Sequence, residues 1–149
     1  MSIDIIKASI EDLDVLVDYQ LKMAKETEEL ILDAEILRSG ILAGLNDKYK
    51  AIYYIAKDGD KTVGSLMITK EWSDWRNIWV LWIQSVYVVE EMRGKGVYKA
   101  LYSNIKEIAI SENYGGIRLY VDKTNTVAQK VYSNLGMNGD HYQLFEYMP

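Results

Sequence analysis

The stretch IWVLWIQSVYVVEEMRGKGVY, residues 78–98, decides how this chain folds. Its first part, 78–89, is rich in β-branched and aromatic residues and predicts a strand. Apolar residues then recur at helical spacing, at Val97, Ala100, Leu101, Ile105, Ile108 and Ala109. Between strand and helix lies Arg93-Gly94-Lys95-Gly96, a cationic turn that contains glycine. Glycine lets a backbone approach an anion, and a helix N-terminus favours negative charge, so the turn predicts a site for a phosphorylated ligand.

Two other phosphate-binding loops do not fit the spacing. A P-loop requires two glycines five residues apart followed by Lys and Ser or Thr, and the chain has no such stretch. A dinucleotide-binding fingerprint requires a third glycine where Lys99 stands, and it follows the first strand of a domain rather than the fourth. A solvated basic turn remains the alternative, because short motifs also match by chance.

Length and composition predict one globular domain, 1–149, with an ordinary hydrophobic content of 49%. A net charge of −5 argues against binding nucleic acid through general electrostatics, so we expect no nucleic-acid partner. The absence of cysteine excludes disulfides, a thiolate nucleophile and cysteine metal sites, and no metal is expected. The first residues resemble no signal peptide and no apolar run reaches membrane-spanning length, so we expect a cytoplasmic protein without a membrane partner.

Strands and helices are predicted to alternate along the chain. The predicted strands are Ile3–Ala8, Tyr49–Ala56, Thr62–Thr69, Ile78–Val89, Ile117–Val121 and Gln143–Met148. The predicted helices are one begun by a Ser9/Asp12 capping box, one capped by Asp33, one over 97–113, and Thr126–Leu135 closed by Gly136. Asp58-Gly59 and residues 72–77 predict turns between the antiparallel strands.

The glycine turn resembles the acyl-CoA loop of the GCN5-related N-acetyltransferase (GNAT) family. The family pattern is Arg or Gln, two residues, Gly, one residue, then Gly or Ala, and Arg93 and Gly96 match it. Tyr98 departs from the pattern, since a small residue is usual at that place. The order of predicted elements is also similar to that family over nearly the whole chain.

A second motif near the C-terminus carries the same resemblance. The family pattern Asn-x-x-Ala-x-x-x-Tyr-x-x-x-Gly-Phe is matched by Asn125, Ala128, Tyr132 and Gly136, with Met137 in place of Phe. The resemblance implies an α/β (α+β) fold, in which helices flank a mixed, mostly antiparallel central sheet in the order β-α-α-β-β-β-α-β-α-β. It also implies acetyl-CoA as the co-substrate.

The resemblance assigns candidate residues to acetyl-CoA. The candidate cofactor-binding residues are Val86, Tyr87, Val88, Arg93, Gly94, Lys95, Gly96, Val97, Tyr98 and Asn125. Asn125 is equally well explained as a helix N-cap. The backbone amides of Val86 and Tyr87 are the candidate catalytic donors to a developing oxyanion. We place a β-bulge at Gln84-Ser85-Val86, because eleven straight strand residues would be long.

Acetyl transfer to an amine requires a neutral amine, oxyanion stabilisation and a proton for the leaving thiolate. At neutral pH an alkylamine is mostly protonated, a penalty of roughly 4 kcal/mol that a base or a desolvating pocket must offset. Tyr132, by its place in the second motif, is the candidate general acid. The base stays open: relatives with a fourth-strand Glu have it near Gln84, which cannot accept a proton, and His141 is the sole histidine.

A group of glutamates and a group of tryptophans can each be interpreted in two ways. Glu26, Glu28 and Glu29 either attract a cationic amine or form a solvated charged run. We expect the tryptophans to pack in the core or in a homodimer rather than to form an aromatic wall for the acceptor. They are Trp72, Trp75, Trp79 and Trp82.

The predicted function is acetyl-CoA-dependent N-acetylation of a primary amine of a small molecule or peptide, by direct attack in a ternary complex. Two alternatives remain open: a non-catalytic acyl-CoA-binding or sensor module, and an O-acyltransferase.

Overall fold

A computed structural model describes residues 2–149. The strands are β1 (Ile3–Lys7), β2 (Ile52–Asp58), β3 (Lys61–Ser73), β4 (Ile78–Val88) and β5 (Ile117–Arg118). The helices are α1 (Leu13–Glu28), α2 (Ala34–Asn46), α3 (Val97–Ser111) and α4 (Thr126–Asn134), with short 3-10 turns at Ile10–Asp12 and Glu90–Met92. Among residues 2–149, no helix combines the length and apolar character needed to cross a lipid bilayer.

The sheet follows chain order, β1-β2-β3-β4-β5. The first three pairs of neighbours are antiparallel, and β4 pairs with β5 in parallel. The prediction of a mixed, mostly antiparallel sheet with flanking helices is therefore confirmed. The predicted caps are present too, since Asp12 accepts from the Ser9 amide at 2.9 Å and Asp33 caps α2.

Alternation along β2 divides the core between the two faces of the sheet. Tyr53 and Ile55 pack with Leu13, Leu16 and Ile41 of α1 and α2. Tyr54, between them, points the other way and lines a cavity with residues of α3. The helices α1 and α2 therefore cover one face, and α3 covers the opposite one.

Two predicted strand boundaries were wrong by several residues. β2 begins at Ile52 rather than Tyr49, because the Asp47 side chain accepts from the Tyr49 amide at 2.9 Å and holds a turn there. β3 continues to Ser73, and Trp72 lies in register with Trp79 instead of starting the turn. The β2–β3 turn is Gly59–Asp60 rather than Asp58-Gly59, since Asp58 still pairs with Lys61.

The end of the predicted sheet was wrong as well. β5 covers only Ile117–Arg118 rather than Ile117–Val121, and within residues 2–149 the segment Gln143–Met148 forms no strand. Aromatic and apolar residues make a segment suitable for a sheet, but a strand exists only where a neighbour completes its hydrogen bonds. The described chain therefore has five strands instead of six.

The chain divides into two compact units, one ending at Arg118 and the other comprising Leu119–Pro149. The first contains the sheet with α1, α2 and α3, and the second contains α4. A single domain over 1–149 stays a prediction.

Candidate active site

The predicted glycine turn lies between β4 and α3, as its sequence indicates. Residues 93–96 form an exposed turn, and α3 begins at Val97. Gly94 and Gly96 have φ values of +74° and +86°, the left-handed region that disfavours other residues. A Cβ atom at either glycine would meet no atom within 4 Å, so the backbone there is open to an approaching group. The first amides of a helix have no partner within the helix, so the start of α3 beside this opening suits an anion.

A third glycine, Gly64 of β3, holds the start of α3 close to the sheet. A Cβ atom on Gly64 would lie 3.1 Å from Cγ1 of Val97 and 3.0 Å from the carbonyl oxygen of Tyr87. Val97 itself is 1% exposed. Sequence reasoning missed this residue, although an isolated glycine within a strand pattern is a known sign of close approach. Because Gly64 has no side chain, Val97 at the end of the glycine turn can pack close to β3 and to the end of β4.

Replacing Gly64 with alanine should lower the free energy of unfolding by about 1–3 kcal/mol, because the added methyl overpacks the contact with Val97. Chemical denaturation measures the change. Gly40→Ala is the matched control, since Gly40 lies in α2 with no atom within 4 Å of its Cβ position. That change should stabilise the protein by up to about 1 kcal/mol through helix propensity. Equal effects of the two substitutions would contradict the tight contact at Gly64.

The predicted bulge in β4 is confirmed. Tyr87 pairs with Ser65 and Gln84 with Met67, so two residues of β4 oppose one of β3. Ser85 has a left-handed φ of +57°, a strained conformation for a residue with a side chain. The buried side chain of Gln20, in α1, donates to the Ser85 carbonyl at 3.0 Å. Sequence reasoning missed Gln20, although a polar residue within the apolar stripe of α1 is a sign of a buried hydrogen bond.

Beyond the bulge, one edge of β4 is not paired with β5. Within residues 2–149, β5 pairs with β4 only at Leu81 and Trp82. The segment Val86–Val88 therefore has β3 on one side and no β5 partner on the other. An extended ligand can pair with such an edge as an additional strand.

Arg93 bridges the glycine turn, β4 and α1. Its Nε donates to the Val88 carbonyl at 2.9 Å, and its Nη2 lies 2.7 Å from Oε2 of Glu26. The guanidinium carbon is 5.4 Å from the centre of the Tyr87 ring, a cation–π distance. Both charged side chains are partly exposed, so we expect the ion pair to contribute little stability. Arg93 is thus directed toward α1, and the open backbone of the turn faces solvent.

The side chain of Tyr87 belongs to the same contact with α1. Its hydroxyl donates to Oε1 of Glu26 at 3.3 Å, and its ring lies 4.9 Å from that of Tyr19. Burial, followed by the nearby Glu26 carboxylate, raises the pKa of Tyr87, so the phenol stays neutral at physiological pH. Only the backbone of Tyr87 is then available for the predicted catalytic role. Glu26 is therefore not merely a solvated carboxylate, because it contacts both Tyr87 and Arg93.

Three further residues that the sequence analysis singled out, Gln84, Lys95 and Tyr98, lie near the bulge or the glycine turn. Gln84 Nε2 donates to Oγ1 of Thr69 at 2.8 Å, a pairing across β3 and β4. Tyr98 stacks on Tyr102 along α3, with 6.3 Å between ring centres. This contact accommodates the large Tyr98 side chain at a place where the family pattern has a small residue. Lys95 is exposed beside the glycines. Val86, Val88 and the turn residues 93–98 are thus brought together at one end of β4.

Asn125 and Tyr132 lie in the second unit, Leu119–Pro149. Asn125 Oδ1 accepts from the Ala128 amide at 3.1 Å, which confirms the N-cap interpretation. The end of α4 is also as predicted: Gly136 has a φ of +88°, and the Met137 amide donates to the Tyr132 carbonyl at 3.1 Å. Burial raises the pKa of the Tyr132 hydroxyl, which keeps it protonated at neutral pH.

The remaining candidates lie elsewhere. His141 is in the second unit, with its ring 6.4 Å from that of Tyr142. Trp72 and Trp79 meet edge to face at 5.2 Å across β3 and β4. Both rings are roughly half exposed, and Trp75 in the connecting turn is 89% exposed, so these three do not belong to the core.

Comparison with known proteins agrees with this architecture. The profile of the Acetyltransferase (GNAT) family matches residues 13–137. The chain is 43% identical to a possible acetyltransferase from Clostridium difficile 630, with a TM-score of 0.91 over 100% of this chain and 99% of that one. It is 25% identical to a probable acetyltransferase, with a TM-score of 0.85 over 98% and 97% of the two chains.

A more distant structure shares the fold. The ribosomal-protein-alanine N-acetyltransferase from Brucella melitensis biovar Abortus 2308 is 17% identical, with a TM-score of 0.80 over 99% of this chain and all of that one. No curated protein sequence matches the chain. The family profile covers most of the chain, including the bulged strand, the glycine turn and the Asn125–Gly136 motif. The chain therefore belongs to the GNAT acetyltransferase family.

Proposed function

We propose that this chain is an acetyl-CoA-dependent N-acetyltransferase that acetylates a primary amine of a small molecule or peptide. The observation that carries the proposal is the combination of a bulged β4, whose far end does not pair with β5, and a left-handed glycine turn at the start of α3. Together they provide adjoining places for an extended amide-bearing arm and for a pyrophosphate. Acetyl-CoA has both of these parts.

The residues present fit that co-substrate. Gly94 and Gly96 have no side chains, and the space at their Cβ positions is empty within 4 Å, so the amides at the start of α3 can hold phosphate oxygens. Lys95 supplies a cation at the same turn, whereas the Arg93 charge is largely balanced by Glu26. The backbone of Val86–Val88 would pair with the amides of the arm as a strand does.

Acetyl-CoA, when bound, supplies an activated acetyl group as a thioester. The chain contributes the backbone of Val86 and Tyr87, at the bulge and directly after it, whose amides would donate to the acetyl oxygen as it gains charge. Tyr132 is the proposed donor of the proton to the departing sulfur. The amine attacks directly, because the chain has no cysteine thiolate to carry the acetyl group and its sequence suggests no Ser–His pair.

We propose that neither Gln84 of β4 nor Glu26 of α1 is the general base. Gln84 is an amide bound to Thr69, and Glu26 is occupied by Arg93 and Tyr87. We infer that the amine loses its proton to water, aided by a desolvating pocket that lowers the amine pKa, so activity should rise with pH as more of the amine becomes neutral.

Release of free thiol from acetyl-CoA, measured with a panel of primary amines, alcohols and water, tests the proposal. We expect release with at least one amine and an acetylated amine as product. Release only with alcohols would favour an O-acyltransferase. If acetyl-CoA raises the melting temperature and no acceptor yields thiol, the chain is a binding or sensor module instead.

Replacing Glu26 with glutamine should tighten acetyl-CoA binding by about threefold. The change keeps the shape of the side chain and removes a negative charge next to Arg93, so the turn becomes more positive toward an anionic ligand. We expect the dissociation constant, measured by calorimetry at low and at high salt, to show a larger gain at low salt.

Glu28→Gln is the matched control, because Glu28 is exposed at the end of α1 and carries the same charge. Its substitution should leave acetyl-CoA affinity unchanged within about twofold. Weaker binding by the Glu26 variant would show that the Glu26–Arg93 pair holds the turn in its binding shape, and would contradict the electrostatic prediction.

A further inference from the structure

A second concave site lies on the α3 face of the sheet, toward the C-terminal end of that helix. It is an open cavity of about 360 Å³, lined by residues of β1, β2, β3, α3 and the turn before β2. Ile108 of α3 borders it, eleven residues after Val97. At 1.5 Å per residue, this separates the cavity from the glycine turn by about 16 Å along the helix. The two sites are therefore distinct.

The charges around this cavity are mainly positive. Lys7, Lys48 and Lys70 line it, and Glu112 is the one acidic residue among its lining residues. Within residues 2–149, none of these lysines forms an ion pair with a carboxylate. The excess is notable because the whole protein has a net charge of −5. Three ammonium groups against one carboxylate around this concavity create a local positive potential that attracts an anion.

The remaining walls are aromatic and apolar. Lys70 Nζ lies 5.5 Å from the ring centre of Tyr114, and Lys48 Nζ lies 5.5 Å from that of Tyr49. Ile52, Ile68, Ile108 and Tyr54 complete the lining. Such a surface buries a flat apolar body while the lysines hold an acidic group. The volume is at the lower end of the range for small-molecule sites.

We propose that this cavity binds a small organic anion, an aromatic ring that carries a carboxylate or phosphate group. The acidic group pairs with Lys7 and Lys70, and the ring lies against Tyr114 and the isoleucines. This second site is independent of the acetyl-CoA turn, and occupying it requires no change at β4.

Benzoate, phenyl phosphate and the uncharged benzamide are the probes, titrated into the whole protein and followed by amide NMR shifts. We expect the two anions to bind and to shift amides of β1, β3 and the end of α3, and benzamide to bind at least about fivefold more weakly. Lys70→Gln and Lys7→Gln should each weaken benzoate binding by about fivefold, as expected for the loss of one partly solvated charge contact. No binding at millimolar concentrations, or equal binding of benzamide, would overturn the proposal.

Two variants locate the binding. Lys106→Gln, an exposed lysine on α3 outside the cavity, should leave benzoate affinity unchanged. Gly96→Val, in the glycine turn, should also leave it unchanged. Loss of binding in the Gly96 variant alone would place the anion in the acetyl-CoA turn and refute a second site. Thermal denaturation of each variant checks that it remains folded.

Discussion

Replacing Tyr132 with phenylalanine should lower kcat about 100-fold or more and change the dissociation constant of acetyl-CoA less than about threefold, since general acids typically contribute 10²–10⁴ to rate. The substitution removes the hydroxyl and keeps the ring in its place on α4. A group that acts only in the transition state affects turnover and not ground-state binding. Steady-state kinetics combined with calorimetric titration of acetyl-CoA separates the two.

Tyr147→Phe is the control for this substitution, because Tyr147 lies in the same unit and is 87% exposed. It should leave both constants unchanged. Equal losses of turnover and affinity in the Tyr132 variant would make Tyr132 a binding residue rather than an acid.

The pH profile provides a second measurement on Tyr132. A general acid must be protonated, and burial raises the pKa of Tyr132 above the ordinary value near 10. We therefore expect kcat of the unmodified enzyme to show no fall from loss of the acid between pH 7 and about 9.5. A decline centred near pH 8 would identify a different proton donor.

Replacing Gly96 with valine should weaken acetyl-CoA binding by about 30-fold or more, a loss of roughly 2 kcal/mol. Gly96 adopts a φ of +86° just before α3, and its Cβ position is empty within 4 Å. The added side chain would therefore occupy the opening that we assign to the pyrophosphate. Strain in the left-handed conformation should separately cost about 1–2 kcal/mol of folding stability.

Gly59→Val separates strain from blocked binding. Gly59 has a φ of +62°, is free of neighbours at its Cβ position, and lies in the hairpin between β2 and β3. It should lose similar stability and retain full acetyl-CoA affinity. Unchanged affinity in the Gly96 variant would remove the assignment of the turn to the co-substrate.

The parts of this protein that were predictable from sequence are those made by neighbouring residues. The strand and the helix within 78–111 follow from the spacing of their hydrophobic residues. The turn between them follows from its glycines, which adopt the positive φ angles that the turn requires. The N-caps Asp33 and Asn125 and the Gly136 helix end are likewise local hydrogen-bond patterns. The bulge at Ser85 was predictable because an eleven-residue strand rarely stays regular.

The tertiary structure decided the rest, because it concerns contacts between residues far apart in the chain. Glu26 meets Arg93 across 67 residues, and Gln20 meets Ser85 across 65, once α1 packs on β4. No local pattern encodes such a pairing. Gln143–Met148 shows the converse: it was predicted to be a strand, and no described neighbour pairs with it. The sequence by itself thus determined the glycine turn and its helix, whereas packing decided which way Arg93 points and which lysines surround the second cavity.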